Sequence, residues 1–300
     1  MRGNQLGRNY RNENMNGVAA PIPILGGLAE IASDRKAWLC DIWGVLHDGL
    51  KPFPAAIEAC RAFIRQGGEV VLISNSPRTS APVAANLINV GVPRDCYTAI
   101  VTSGDVTRRY VEAHAAEPMF HLGPDRDKCL FEGLKLQFVS ARSAKVAVCT
   151  GFFDEDQETV EDYEPMLASL AARKVPMICA NPDLIVERGT KIIPCAGLLA
   201  KRYVELGQTV LQAGKPYAPI YDAAIEKFAR PQPRSAILAI GDGAGTDIEG
   251  ACGQGIDAIY IASRIHVRDI DERGFTQESL DGIFAGKPCR PLAAMAQLRW

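Results

Sequence analysis

Residues 38–49 read WLCDIWGVLHDG. A short apolar run delivers one carboxylate, Asp41, to the end of a strand, and a glycine-containing turn follows. In open α/β sheets ligands bind outside the carboxyl ends of the strands, so an acid placed there is a candidate reactive group. Asp41 is the leading candidate in this chain.

Working outward from that strand, Pro54 to Gln66 places Ile57, Cys60, Phe63 and Ile64 at helical spacing and stops at Gly67-Gly68. Glu69 to Ser74 (EVVLIS) is a continuous β-branched run, the pattern of a strand covered on both faces. Ser74-Asn75-Ser76-Pro77 is expected to open a helix running to about Val90. Ala99 to Thr102 is expected to form a third strand, and Ser103-Gly104-Asp105 to cap a helix reaching about Ala115. Three βα units in a row predict an α/β fold with a doubly wound, Rossmann-like parallel sheet. The middle third reads as a second α/β layer inserted into the first. Its expected parts are strands at Met119 to Leu122, Lys145 to Thr150 and Pro176 to Ala180, with one charged amphipathic helix from Asp156 to Arg173. The turn Asn181-Pro182-Asp183, a short hairpin or loop between Val186 and Pro194, and a helix from Cys195 to Leu206 complete it. From Gly214 the first rhythm resumes, with a helix over Ala218 to Phe228, a strand over Ser235 to Ile240 and the loop GDGAGTDIEG. A helix around Asp247 to Cys252, a strand over Ile256 to Ala262 and a closing helix over Pro291 to Trp300 follow.

Composition excludes several classes of function. A chain of 300 residues that is 47% hydrophobic can bury a large core and is expected to divide into two domains. A net charge of −2 gives no electrostatic case for nucleic acid or an anionic membrane surface, and no apolar run approaches the roughly 20 residues that span a bilayer. The nine cysteines include no CxxC pair and no zinc spacing, and are read as free thiols of a reducing cytoplasm. The opening MRGNQLGRNYRNENMNG is polar, lacks the apolar segment of a secretory signal and is expected to be a disordered lead, with Met15 as an alternative start.

Three further polar clusters fall at strand ends. Ser74 offers a hydroxyl and following backbone N–H groups beside an expected helix N-terminus, a setting for phosphate or for a plain N-cap. Gly214-Lys215-Pro216 presents a cation at another junction, where the bland reading is a solvated charge. IGDGAGTDIEG carries Asp242 and Asp247 at one strand end. Two carboxylates buried together require a cation or donors to offset their repulsion, and with Asp41 added the set is oxygen-rich and hard, which favours Mg²⁺. The same loop is no dinucleotide fingerprint: an Asp within the turn would repel a pyrophosphate, and Thr246 stands where the third glycine is needed. No P-loop pattern occurs.

The motifs CDIWGVLHDG, VVLISNS, AGKP and IGDGAGTDI, in that order, resemble those of the haloacid dehalogenase-like hydrolase superfamily. The resemblance is specifically to the subclass IIA phosphatases that act on nucleotides, pyridoxal phosphate, glycerol phosphate or nitrophenyl phosphate. VTSGDV and ANPD add to it, and it covers nearly everything from about Ile24 onward. It implies a hydrolase core over residues 24–116 and 208–300, an α/β cap over 117–207 and a lead over 1–23. It implies further that Asp41 is the nucleophile, forming an aspartyl-phosphate, and that Ser74, Asn75 and Lys215 bind the phosphoryl group. Mg²⁺ would be held by Asp41, Asp242 and the main-chain carbonyl of Trp43, with Asp247 steadying the metal's surroundings. The substrate would be a small phosphorylated metabolite, and the cap turn Asn181-Pro182-Asp183 would face the core site, unless it only closes a loop as an Asx-type turn.

One position departs from the pattern. Phosphatases of the family carry a second Asp two residues after the nucleophile, which protonates the leaving oxygen and later activates water; here that residue is Trp43. An indole N–H is a donor only and exchanges no proton usefully near neutral pH. Three readings follow. The protein is a slow or leaving-group-restricted phosphatase; it is a binding or regulatory protein that keeps the phosphate and Mg²⁺ site without turnover; or it is a dehalogenase-like enzyme, since dehalogenases also place an aromatic residue there. Asp242 and the large cap weigh against the third. His47 and Asp48 lie near enough to stand in for the missing acid, but an Asp-Gly pair at 48–49 is expected to form the turn of a small flap hairpin. Exposed faces of the cap helices offer a surface on which two chains would pair as a homodimer.

Overall fold

The computed structural model describes residues 20–31, 34–188, 191–262 and 275–300. Most of the polar lead, residues 1–19, lies outside them, as do residues 189–190 within the expected hairpin. Among the described residues no helix is long and apolar enough to cross a membrane. The described residues fall into two compact units, the first drawn from those in 20–72, 90–99 and 225–300 and the second from those in 73–89 and 100–224.

The first unit is built on β1 (Ala37–Asp41), every residue of which is buried. Trp38 anchors it, its ring stacked on Phe63 of helix α1 (Pro54–Arg65) with centroids 4.1 Å apart and planes within 6°. Helix α1 starts on Pro54, whose missing N–H costs nothing in a first turn, and it turns Ile57, Cys60 and Phe63 inward as the spacing predicts. β2 (Glu69–Ser74) and β3 (Ala99–Thr102) begin in this unit and end in the other. Helices α2 (Ser80–Val90) and α3 (Ser103–Ala113) belong to the second unit.

The second unit also contains a four-stranded sheet in the order β4-β5-β6-β9: β4 (Met119–Leu122), β5 (Val146–Cys149), β6 (Met177–Cys179) and β9 (Val210–Gln212). Each neighbouring pair in it is parallel. Helices α4 (Glu164–Ala172) and α5 (Ala196–Glu205) cover it through Leu167, Leu170, Leu199 and Tyr203. The hairpin β7 (Ile185–Arg188) and β8 (Lys191–Pro194) pairs antiparallel, and α6 (Ala218–Ile225) closes the unit. The chain then returns to the first unit with β10 (Ile237–Gly241), α7 (Glu249–Gly253), β11 (Asp257–Ile261), α8 (Gln277–Ile283) and β12 (Ala293–Met295). The larger sheet has six strands in the order β12-β11-β10-β1-β2-β3, with β10 parallel to β1, β11 to β10 and β12 to β11. This is the α/β, Rossmann-like fold that the alternating pattern predicts.

Several expectations need correction. Pro291–Trp300 is not a closing helix: Ala293–Met295 pairs with β11, and Ala294 exchanges backbone hydrogen bonds with Pro23 and Leu25. Pairing on both sides outweighs the helical preference of an alanine-rich stretch. Asp156 to Arg173 is not one helix. Thr159 and Asp162 close a capping box on a 3₁₀ turn at Val160–Tyr163, and Pro165 starts α4 afresh. The acids ahead of it satisfy nearby backbone instead, as where Asp154 N–H donates to Glu158. The helix after β2 begins at Ser80, not beside Ser74, and the cap of α3 is Thr102, in a reciprocal box with Asp105. Strand β9, three residues long, has no counterpart in the sequence reading. Finally, not all nine cysteines are thiols: Cys252 and Cys289 are joined across 37 residues with Cα atoms 6.0 Å apart, leaving seven free. Their proximity arises from the packing of α7 beside the segment leading to β12, which no local spacing records.

Titration of unfolded protein purified without reductant should therefore find seven thiols per chain, rising to nine after reduction. Nine before reduction would contradict the bridge.

Candidate active site

In the first unit, β1 and β10 are parallel neighbours, with Cys40 opposite Ile240, so their carboxyl ends bring Asp41 beside Asp242. Asp247 joins them from the turn after β10. One carboxylate oxygen from each of the three lies within 4.8 Å of the others, and all three residues are buried. The turn Ala244–Ile248 is a single π-helical turn, in which Gly243 C=O accepts from Asp247 and Ile248 N–H. Asp247 accepts in return from Gly243 N–H at 3.1 Å and Thr246 hydroxyl at 3.3 Å. Gly241 is required here: a Cβ on it would come within 2.1 Å of the Asp247 carboxyl carbon. The negative field of the cluster is felt next door, where burial first, then Asp242 and Asp247, push the Tyr260 phenol well above its usual range.

Three like charges clustered out of water are tolerable only with a cation or strong donors among them. An all-oxygen, carboxylate-rich set is hard and suits Mg²⁺ rather than a soft metal. The residues present thus fit the expected ion.

Trp43 begins the flap that follows β1. Gly44 N–H donates to His47 C=O at 2.8 Å, Asp48 accepts from Leu50 and Lys51 N–H, and His47 bridges to Pro52. Asp48-Gly49 therefore forms the turn, as expected, with Gly49 in the left-handed region at φ 90°. The indole lies against that glycine: a Cβ at Gly49 would meet the ring at 2.5 Å. Trp43 Nε1 is buried and has no hydrogen-bond partner among the described residues. His47 packs edge-on to the indole with centroids 5.2 Å apart, and its Nδ1 accepts from Gly49 N–H at 2.8 Å. Burial lowers the His47 pKa to about 4, against a smaller upward pull from Asp48, so at neutral pH it is a neutral ring with its one hydrogen on Nε2 and no imidazolium proton to give.

In the second unit, Asn75 ties three segments together. Its Nδ2 donates to Asp183 Oδ1 at 2.8 Å and to Lys215 C=O at 3.0 Å, and its Oδ1 accepts from Lys215 N–H at 2.7 Å. Lys215 is buried, not the solvated charge of the bland reading. Gly214 lets the strands of chain meet: a Cβ there would lie 2.3 Å from Asn75 Oδ1 and 2.7 Å from Pro182. Asn181 Oδ1 accepts from Asp183 N–H at 3.0 Å, the Asx turn of the bland reading, and Asp183 also reaches Asn75. Ser74 accepts from Ser76 N–H at 3.2 Å, a local turn rather than a helix cap. The loop beyond it is pinned by Asp105, which accepts from Ser80 N–H and hydroxyl and thereby joins two helix starts. That role of Asp105, and the bridging by Asn75, escape a strand-by-strand reading; T-x-x-D at 102–105 is the one signal that points to the first.

The sheet and the carboxylate cluster define an α/β protein with a hard, acidic site at its strand ends. The family model for haloacid dehalogenase-like hydrolases matches residues 38–137, and a second, HAD-hydrolase-like model matches residues 212–279. A haloacid dehalogenase-like hydrolase from Brucella suis 1330 is 38% identical, covers 92% of this chain and all of its own, and superposes with a TM-score of 0.81. The chain belongs to the haloacid dehalogenase-like hydrolase family. Ribonucleotide monophosphatase NagD of Escherichia coli (strain K12) is 27% identical over 80% of this chain and 93% of its own length. The p-nitrophenyl phosphatase from Archaeoglobus fulgidus shares the fold at 20% identity and a TM-score of 0.69, covering 88% of this chain and 97% of its own.

Replacing Asn75 by Ala removes the acceptor of the buried Lys215 N–H, a loss of about 1–3 kcal/mol. Chemical denaturation should show Asn75→Ala and Gly214→Ala both destabilised, and an unchanged midpoint for either would refute the bracket.

Proposed function

We propose that the protein is a Mg²⁺-dependent phosphatase-like hydrolase that acts on a small phosphorylated metabolite through an aspartyl-phosphate and turns over slowly or only with good leaving groups. The observation that carries this reading is the buried cluster of Asp41, Asp242 and Asp247. Asp41, Asp242 and the Trp43 carbonyl would hold the ion, with Asp247 keeping their surroundings in order. Mg²⁺ when bound supplies charge to offset the phosphoryl oxygens. Asp41 attacks phosphorus, so that one hard hydrolysis becomes two easier displacements. Ser74, Asn75 and Lys215 bind and orient the transferring group, and phosphoryl transfer asks little more of a protein than such placement. The cap role belongs to residues 117–207, where Asn181 and Asp183 are candidates for substrate contact, and the bond of Asp183 to Asn75, held by the Asn181 turn, supports that assignment.

The restriction follows from Trp43. Neither its indole nor the neutral His47 supplies the proton that a poor leaving group needs. Loss of a general acid typically costs ~10²–10⁴ in rate. The same observation favours a second reading, a protein that binds a phosphorylated ligand without turnover; a dehalogenase-like activity ranks third. Pairing of two copies and residence in the cytoplasm complete the proposal. In a reducing compartment the Cys252–Cys289 bridge would be open.

With Mg²⁺ present, rates across a series of phosphate esters should fall steeply as the leaving-group pKa rises, acyl and aryl phosphates reacting and alkyl phosphates scarcely. A flat dependence would refute the restriction, and no turnover with retained phosphate binding would favour the binding protein. Trp43→Asp should raise activity toward alkyl phosphates by about 10²-fold or more; a folded variant with no gain would show that the missing acid is not the limiting defect.

A further inference from the structure

Segments within residues 120–153 of the second unit line a cavity of about 540 Å³, inside the size range of small-molecule sites. Phe120 and His121 of β4, the segment that follows them, and Phe153 beyond β5 line it. It shares no residue with the carboxylate cluster or with the Asn75 bracket. Phe131 stands edge-on to His121 and to Phe138, both with ring centroids 5.0 Å apart. Phe138 and Phe153 on the same lining are 50% and 43% exposed. Aromatic rings left half in water on the wall of one cavity offer faces that a further ring would cover.

The lining carries His121, two acids, Asp125 and Glu132, and one lysine, Lys128. His121 Nε2 lies 2.9 Å from Thr150 Oγ1, and Thr150 also hydrogen-bonds the buried Asp127 carboxyl, which sits 3.6 Å from Arg78. A hydroxyl has one hydrogen. With that hydrogen on the carboxylate, Thr150 accepts from His121 Nε2–H, and the ring keeps Nδ1 as a bare acceptor. Burial agrees, lowering His121 to about 4 and so keeping it neutral. Of the charged lining residues, Lys128 is paired with Asp125 at 2.7 Å, and Glu132 is a second acid. The cavity therefore repels anions and welcomes donors.

We propose that this cavity is a ligand site for a planar aromatic molecule that carries an N–H donor and no anionic group. His121 takes the donor, and the rings of Phe131, Phe138 and Phe153 enclose the plane. The occupant is thus a different chemical class from the phosphate esters expected at the carboxylate cluster.

Calorimetric titration of the full chain with indole and with 1-methylindole, which keeps the ring and lacks the donor, tests this directly. Indole should bind with a Kd of about 1 mM or tighter, and 1-methylindole about tenfold more weakly. His121→Phe should erase that difference while keeping the aromatic wall, and Phe138→Ala should weaken both ligands; circular dichroism checks that each variant is folded, and the ligand contrast on the unaltered chain needs no variant. Failure of indole to bind, or equal binding of the two ligands to the unaltered chain, would overturn the proposal. So would a dimer in sedimentation that Phe138→Ala dissolves, since a second copy would then be the occupant.

Discussion

Three carboxylates gathered within 4.8 Å in a buried pocket are the constraint on which the first unit depends. Like charges brought this close out of water must be offset by a cation or by donors. The fold nevertheless supplies the means of assembling them: parallel pairing sets Asp41 and Asp242 on adjacent strand ends, and the π-helical turn carries Asp247 back over Gly241. The absence of a Cβ at 241 is what leaves room for the third carboxyl. A cluster built at such cost to the apo chain is explained by a hard cation that the same oxygens would hold.

The flap meets a second constraint. Where the resemblance leads to the expectation of an acid, this chain has an indole, and the turn accommodates it: Gly49 provides the space the ring fills, and His47 packs at its edge while accepting from the backbone. The substitution is thus embedded in the packing of the flap rather than loosely tolerated. It leaves the main chain of residue 43 free of any need for a particular side chain, so metal binding and proton transfer are separable here. That separation is why binding and efficient hydrolysis need not go together.

Much of this was legible from residue order because the relevant signals are local. Buried parallel strands read as continuous apolar runs, and Asp41, Ser74 and Asp242 follow such runs directly. Elements that owe their form to distant partners were not legible. β12 exists through pairing with β11 and with residues 23–25, and Cys252 meets Cys289 only through packing. Asn75 looks like an ordinary loop residue until its partners, 108 and 140 residues away, are in view. The split of Asp156–Arg173 lay within reach, since Pro165 marks a helix start, but its charged lead imitates an amphipathic helix.

The central claim is that the three carboxylates need a divalent cation. Thermal unfolding of the protein and of Asp242→Asn, each with and without Mg²⁺, tests it most directly. The account predicts that Mg²⁺ raises the midpoint of the unaltered protein and scarcely moves the variant. A midpoint for the unaltered protein that ignores Mg²⁺ would contradict the account.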